Sequence, residues 1–348
     1  MSGEGDLVAE AAERLFADLS TPATVRAAEQ GIWPDDLWQA VEDAGFCAAL
    51  EPDSGVSLGE ALAILRAAGR HAAPIPLLET MAARAIAARA GLTTPEGPLS
   101  IAVSDQPTTL RLDAGRLSGT MRRGPFARQA KAIVALAHDN DRSMVVCAPV
   151  ERARLTPGRN LAGEPRDDLV FDRLDLSGGA MAAAPKGVDE AWVLRRAALL
   201  RSAQMVGALD AALAMAVRYA NERAQFGRPI GKFQAIQHQL AALGGEVAAS
   251  SAMLDAAAEA VTTNRPHAAL AVAAAKARAS EAAGIAATIA HRVHGAIGFT
   301  REFALQDLTR RLLSWRDEFG SERYWQSYIG HEALAPKAAP LWPFLSTP

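Results

Sequence analysis

Residues 218–238 read RYANERAQFGRPIGKFQAIQH and divide a long stretch of helical sequence into two parts. The segment begins as the end of an Ala-, Leu- and Met-rich helix. Gly227 accepts the positive φ that often ends a helix, and Pro229 cannot continue the hydrogen-bond ladder. Helical sequence resumes near Phe233. The pattern predicts a corner at which one helix stops and a second one starts.

Three side chains of different chemistry lie close together at this corner, namely Arg223, Gln225 and Phe226. A guanidinium group offers a planar fork to phosphate oxygens, an amide offers a neutral donor, and an aromatic ring offers a flat contact. Taken singly, such residues are more often solvated helix ends and core anchors. Together they suit a flat, phosphorylated ligand.

The segment resembles the signature of the acyl-CoA dehydrogenase family, Arg-x-x-Phe-Gly-x-x-Ile-x-x-Phe-Gln. Spacing and residue type agree at Arg223, Phe226, Gly227, Ile230, Phe233 and Gln234. The resemblance implies that the corner reaches across a subunit interface and holds the pyrophosphate end of the neighbour's FAD. It therefore implies a flavoprotein oligomer with an acyl-CoA substrate.

A second glycine-containing stretch, at 291–300, follows the last long helical segment. Gly295 and Gly298 would let the backbone approach a ligand closely, although a helix end alone also accounts for them. In the family, a Gln-x-x-Gly-Gly-x-Gly-Phe run at this place completes the FAD pocket. Arg292 stands at the Gln position and still suits a pyrophosphate. Ala296 replaces the second glycine and adds a methyl group.

Composition excludes several classes of protein. The chain has 348 residues, is 50% hydrophobic and carries a net charge of −3, which gives no footprint for nucleic-acid binding. The sequence has no uninterrupted apolar run of about 18 residues, so a membrane span is not expected. The acidic first residues differ from a signal peptide, so a cytoplasmic protein is expected. Cys47 and Cys147 sit among apolar neighbours, which predicts buried thiols and neither a disulfide framework nor a metal site.

The order of hydrophobic patterns predicts an α+β fold. Short β-branched runs between turn residues, with a hairpin-like turn at 113–115, indicate a small antiparallel barrel or sandwich, and long Ala-rich segments indicate a tight four-helix bundle. Helices, then strands, then helices is the three-domain order of the acyl-CoA dehydrogenases. The expected divisions are an N-terminal helical domain at 1–95, a middle β domain at 96–188, a C-terminal helical bundle at 189–332 and an extended tail at 333–348.

Desaturation of an acyl thioester requires a carboxylate that removes the α-proton while flavin N5 accepts the β-hydride. Most of the family carries this base as the Glu of a Tyr-Glu-Gly-Thr loop. Aligned without a gap, the base position here is Phe319, whereas a one-residue bulge would place Glu318 there with Asp317 beside it. A solvated acidic turn paired with Arg316 or Arg323 is the alternative. The family's other base location reads RRAA at 195–198 and has no carboxylate.

The β segment also departs from the family pattern. The usual Thr-Glu-Pro-Gly-x-Gly-Ser-Asp loop is missing after residues 101–103, where only SDQP at 104–107 remains. The Trp-Ile-Thr/Ser-Asn segment that flanks the isoalloxazine is replaced by RRGPF at 122–126. The residues expected to hold the FAD tail of a neighbour are therefore retained, and those expected to hold the reactive ring in the chain's own site are not.

This combination resembles the small subunits of heteromeric acyl-CoA dehydrogenases, found in bacterial degradation of steroid side chains and dicarboxylic acids. The leading hypothesis is a subunit, for example of a heterotetramer, that completes the FAD site of an unlike partner carrying the base. Electrons would pass to an electron-transfer acceptor protein. Two alternatives remain open: a self-sufficient homomeric dehydrogenase that uses Glu318, and a helical scaffold that has lost FAD.

Overall fold

The N-terminal part of the chain is helical. The computed structural model describes residues 4–103, 109–140 and 142–334. Side chains cap two of the helices, because Thr21 accepts a hydrogen bond from the Thr24 N–H and Ser57 forms a capping box with Glu60. The helices are α1 (Glu4–Leu19), α2 (Pro22–Glu29), α3 (Asp35–Asp43), α4 (Leu58–Arg70) and α5 (Leu77–Arg89), with a short 3₁₀ turn at Phe46–Ala48.

The expected β segment forms one mixed sheet. Its pairing differs from the antiparallel expectation, because β1 and β2 each run parallel to β4 while the other pairs are antiparallel. The strand order is β6-β7-β3-β2-β4-β5-β8, with β1 beside β4. The strands are β1 (Leu99–Ile101), β2 (Arg111–Asp113), β3 (Arg116–Pro125), β4 (Ala132–Asp139), β5 (Arg142–Pro149), β6 (Arg154–Thr156), β7 (Arg166–Asp175) and β8 (Met181–Ala183).

Two reversals of the chain account for the parallel pairing of β2 with β4. The first is the hairpin expected at 113–115, where Ala114 and Gly115 both have positive φ, as a tight two-residue hairpin turn requires. The second lies between the end of β3 and the start of β4, at 126–131. After two reversals β4 runs in the direction of β2, and so the two strands pair in parallel.

The C-terminal part is a helical bundle built around one long helix. That helix, α6 (Glu190–Glu222), has 33 residues and packs against α4, α7, α8 and α9. It is long and apolar enough to cross a membrane, but 72% of its most apolar window is buried inside the fold, which accounts for its composition. The other helices are α7 (Gln234–Thr262), α8 (Ala268–His294), α9 (Leu305–Trp315) and α10 (Glu322–Leu334).

Two of the expected features fall on residues that the structure does not describe. The tail expected at 333–348 lies outside the described residues from 335 onwards, and α10 ends at Leu334. The SDQP segment at 104–107 lies outside them as well. Cys47 and Cys147 are described, and both are buried free thiols, as expected.

Two glycines bring the N-terminal helices against the bundle. A Cβ added at Gly207 of α6 would lie 1.8 Å from the carbonyl oxygen of Arg66, and one added at Gly69 of α4 would lie 2.0 Å from that of Gln204. Only glycine permits this approach of two helix backbones. The contact fixes α4, and with it the N-terminal helices, against the middle of α6.

Candidate functional site

The corner predicted at 218–238 is a short β-hairpin between two helices. Helix α6 ends at Glu222, and β9 (Ala224–Gln225) pairs with β10 (Arg228–Pro229) before α7 begins. Phe226 and Gly227 form the turn, with φ of 52° and 78°. A tight hairpin turn of this kind needs positive φ at both of its central residues, and Phe226 and Gly227 meet that requirement. The chain thus makes a hairpin where a simple helix stop was expected.

The predicted ligand-binding side chains of the corner are exposed. Arg223 and Gln225 are exposed, and Phe226 is 90% exposed. The turn is supported by Phe233, whose ring lies 6.1 Å from that of Phe226 and 4.3 Å from the guanidinium carbon of Arg228. The supported hairpin therefore presents a guanidinium, an amide and an aromatic ring at the surface.

The second stretch divides into an open part and a packed part. Helix α8 ends at His294, and Gly295 follows with a φ of 65°. A Cβ at Gly295 would meet no atom within 4 Å, whereas one at Gly298 would lie 3.0 Å from His294 Cβ. Arg292 is exposed and Gly298 is buried. Gly295 and Arg292 are thus open to a ligand, and Gly298 has a packing reason to be glycine.

The fold brings the two stretches to the same end of the bundle. Tyr219 in the last turn of α6 stacks on His294 at the end of α8, with ring centroids 4.6 Å apart. The carbonyl oxygen of Tyr219 also accepts the Arg223 N–H at 2.8 Å. Arg223 and Arg292 therefore stand on neighbouring helix ends, which sequence spacing did not establish.

Glu318 lies in a buried ion-pair network. Its carboxylate accepts from Arg166 Nε at 2.8 Å and from Arg166 Nη2 at 2.9 Å, and Arg201 Nη2 lies 3.0 Å away. Asn160 donates a further hydrogen bond at 3.1 Å. The carboxylate is thus held by the β segment and by α6, not by Arg316 or Arg323.

The network contains three arginines and three glutamates, so its formal charges balance. Arg201 also pairs with Glu79 of α5 at 2.8 Å, and Arg166 pairs with Glu164 at 3.0 Å. Trp315 Nε1 donates to Glu164, and the Arg201 guanidinium lies 5.1 Å from the Trp315 ring. The six charged members come from the helical and the β parts of the fold: Glu79, Glu164, Arg166, Arg201, Arg311 and Glu318.

The network makes Glu318 a weak base. Burial raises the pKa of the Glu318 carboxyl, but Arg166 and Arg201 outweigh burial and lower the pKa to about 2. For Glu79, burial raises the pKa, and Arg201 only partly opposes it. A proton acceptor works best when its pKa lies near the working pH, so an arginine-paired carboxylate is poorly suited to remove an α-proton.

The neighbours of Glu318 occupy different environments. The Asp317 side chain is 63% exposed, and its carboxylate lies 3.8 Å from Arg316 Nε. For Asp317, this is the environment expected of a solvated acidic turn paired with Arg316. Phe319, at the ungapped base position, is buried with a φ of 55°, and its ring lies 5.1 Å from the Arg201 guanidinium. In the ungapped alignment, an apolar ring therefore stands where the family pattern has a carboxylate.

A buried lysine holds this loop and was not anticipated. Lys276 of α8 donates from Nζ to the carbonyl oxygens of Arg316 at 2.9 Å and Gly320 at 3.0 Å. It also donates to Ser280 at 3.0 Å. The sequence signal for this role was a lysine within an Ala-rich helix. The buried partners of Glu318 gave no signal, because they are distant in the chain.

A small cleft lies beside the acidic loop. It has a volume of about 50 Å³ and lies between β3 and the 317–319 loop, with Arg122, Arg123 and Arg166 in its lining. That volume holds roughly three or four water molecules, whereas pockets for drug-sized ligands measure about 300–1,000 Å³. The residues present do not fit a flavin ring here. Neither Arg223 nor Arg292 lines this cleft.

A separate cavity of about 390 Å³ is lined by three arginines, Arg89, Arg195 and Arg196. Its lining includes Trp192 and Asn264 but no carboxylate among the described residues. Arg196 Nε is buried and has no acceptor within the described part of the chain. Burial, and then the like charge of Arg89, lowers the pKa of Arg196 to about 10. This arrangement suits an anion.

Comparisons with known proteins agree with this fold. The family model "Acyl-CoA dehydrogenase, C-terminal domain" matches residues 173–330. Acyl-CoA dehydrogenase IpdE2 of Mycolicibacterium smegmatis is 30% identical over 316 residues, which cover 88% of this chain and 91% of that protein.

Two solved structures share the fold. A chain of the ChsE4–ChsE5 complex from Mycobacterium tuberculosis superimposes with a TM-score of 0.86 at 23% identity, covering 97% of this chain and 99% of that one. The Tcur3481–Tcur3483 steroid ACAD variant superimposes with a TM-score of 0.83 at 24% identity, covering 94% and 96%. On the identity and coverage shared with IpdE2, the chain belongs to the acyl-CoA dehydrogenase family.

Proposed function

We propose that this chain is a subunit of a heteromeric, FAD-dependent acyl-CoA dehydrogenase and supplies the phosphate-binding corner of an unlike partner's FAD site. The observation that carries the proposal is the environment of the 317–319 loop. Phe319 stands at the base position of the ungapped alignment, and Arg166 and Arg201 hold Glu318. Among the residues of this loop that face the protein interior, no carboxylate is therefore free to act as a base.

The distribution of fitting residues supports the same division of roles. The cleft beside β3 is too small for the flavin ring, so the chain's own site would not hold the reactive end of FAD. The exposed corner does fit the other end of FAD: Arg223 and Arg292 would hold the pyrophosphate, with Gln225, Phe226 and Gly295 beside it. When bound in the partner, FAD would supply the hydride acceptor.

The names of structural neighbours support the choice of partner and substrate to test. One is a complex of two proteins, and another is described as a steroid enzyme. We therefore propose that the partner is a related acyl-CoA dehydrogenase in the cytoplasm. Steroid-derived and straight-chain acyl-CoA thioesters are the two substrate classes to compare. An electron-transfer protein would reoxidise the partner's FAD.

The test compares the chain expressed alone with the chain co-expressed with a related dehydrogenase-like protein from the same genome. Flavin absorbance, assembly mass and turnover are measured for each. We expect little flavin alone, and a flavin-containing heteromer that turns over acyl-CoA with the partner. Stoichiometric flavin and full turnover by the chain alone would contradict the proposal.

The arginine-lined cavity favours a second candidate, in which the chain itself binds an acyl-CoA. Arg89, Arg195 and Arg196 would hold the phosphates of CoA, and Trp192 would lie beside the nucleotide. Titration with CoA tests this, using Arg195→Gln as the variant and Arg154→Gln, an exposed arginine outside the cavity, as the control. Binding that Arg195→Gln weakens at least tenfold supports the candidate. Absence of binding removes it.

A further inference from the structure

A second arginine-rich cavity shares no lining residue with the cleft beside the acidic loop or with the Arg89 cavity. It has a volume of about 280 Å³ and is enclosed by the end of α2, the loop at 159–163 and residues 301–310 at the start of α9. The charged residues in its lining are Arg26, Glu29, Arg159, Arg301, Asp307 and Arg310.

Positive charge is in excess in this cavity, because four guanidinium groups face two carboxylates. Glu29 forms an ion pair with Arg310, which neutralises its charge. Asp307 Oδ1 lies 3.7 Å from the same arginine. Within the described residues, Arg26, Arg159 and Arg301 have no carboxylate within the 4.0 Å of an ion pair.

Two guanidinium nitrogens of the lining are also left without an acceptor. Arg26 Nη1 and Arg310 Nε are buried and find no hydrogen-bond partner among the described residues. Buried donors are rarely left unpaired, and each such case calls for a bound group or another explanation. An anion in the cavity would accept from these arginines and offset the excess charge.

We infer that this cavity binds a small phosphomonoester. The excess of two positive charges matches a phosphate dianion, for which planar guanidinium forks are suited. The volume leaves room for an organic group beside the phosphate. Gln30 and Gln306 also line the cavity and offer neutral hydrogen-bonding groups to hydroxyls of that group. The inference is independent of the role proposed for Arg223 and Arg292.

The test is isothermal titration of the full-length chain, in the assembly in which it purifies, with inorganic phosphate and with glycerol 3-phosphate. Sodium chloride at matched ionic strength controls for general screening of crowded arginines. The variant is Arg159→Gln combined with Arg301→Gln, because both side chains are exposed and neither forms an ion pair among the described residues. Arg154→Gln, on β6 and outside the cavity, is the matched control.

We expect saturable binding at one site per chain, with glycerol 3-phosphate binding at least as tightly as inorganic phosphate. The double variant should weaken it at least tenfold, and Arg154→Gln should leave it unchanged. The inference would be overturned if phosphate and glycerol 3-phosphate gave heat changes no larger than sodium chloride does. It would also be overturned if the double variant bound them with the same affinity as the wild type. Circular dichroism of the variants separates loss of binding from loss of folding.

Discussion

Glu318 and Arg166 form a two-point ion pair, with Nε 2.8 Å from Oε1 and Nη2 2.9 Å from Oε2. The two residues are 152 positions apart and join the C-terminal loop to the start of β7. Arg201 lies against the same carboxylate from α6. The acidic residue most suited by sequence to be a base is therefore a link between layers of the fold.

Glu318→Gln should destabilise the protein by about 3–5 kcal/mol, the range for removing one partner of a buried ion pair. The substitution leaves Arg166 and Arg201 under-compensated in a buried setting. Urea unfolding measures the loss, and exposed Asp317→Asn should change stability by less than about 0.5 kcal/mol. In the assembled heteromer, turnover per folded complex should stay within a few-fold of the wild type. A loss of several orders of magnitude at unchanged stability would instead identify Glu318 as the base.

The stability contributed by Glu318 should depend on pH in the acid range. Its pKa is lowered from 4.5 to about 2, so the folded state favours the ionised form. The contribution is complete above the unfolded pKa and is lost as pH falls towards 2. The stability difference between wild type and Glu318→Gln should be constant from about pH 7 to about pH 5 and should shrink at about pH 3.5. A wild-type advantage that instead grew as pH fell through the neutral range would mean a raised pKa in the folded state.

Arg223→Gln should weaken flavin binding by the heteromer about tenfold or more, because a charge-assisted hydrogen bond contributes about 1.5–3 kcal/mol. Flavin release during dilution or ultrafiltration measures the effect. Lys232→Gln is the control, since Lys232 is also exposed and lies just beyond the hairpin. Equal flavin retention in both variants would show that the corner does not hold the cofactor.

Gly207→Ala should destabilise the fold, whereas Gly244→Ala should not. Both glycines lie inside long helices, where alanine is favoured by about 1 kcal/mol. A Cβ at Gly207 would lie 1.8 Å from the Arg66 carbonyl oxygen, while one at Gly244 meets nothing within 4 Å. Thermal unfolding should show a lower midpoint for the first variant and an equal or higher one for the second. A stabilised Gly207→Ala would mean that α4 and α6 separate without cost.

Local sequence was sufficient for the fold class and the order of its elements. Gly227 and Pro229 predicted the break between α6 and α7, and the pattern around Arg223 and Phe226 pointed to the acyl-CoA dehydrogenase family, to which the chain belongs. These features depend on residues near one another in the chain, whose backbone preferences act locally. The roles of the site residues remain predictions: Arg223, Gln225, Phe226, Arg292, Gly295 and Gly298.

Tertiary structure alone decided the environment of Glu318. The sequence left it open whether this carboxylate was a free base or part of a solvated turn, and the structure places it between Arg166 and Arg201. It likewise decided that α4 touches α6 through Gly69 and Gly207, and that arginines from three distant segments share one cavity. Such contacts depend on how helices and strands pack in space. The charge or size of a single residue does not indicate which distant residue it will contact.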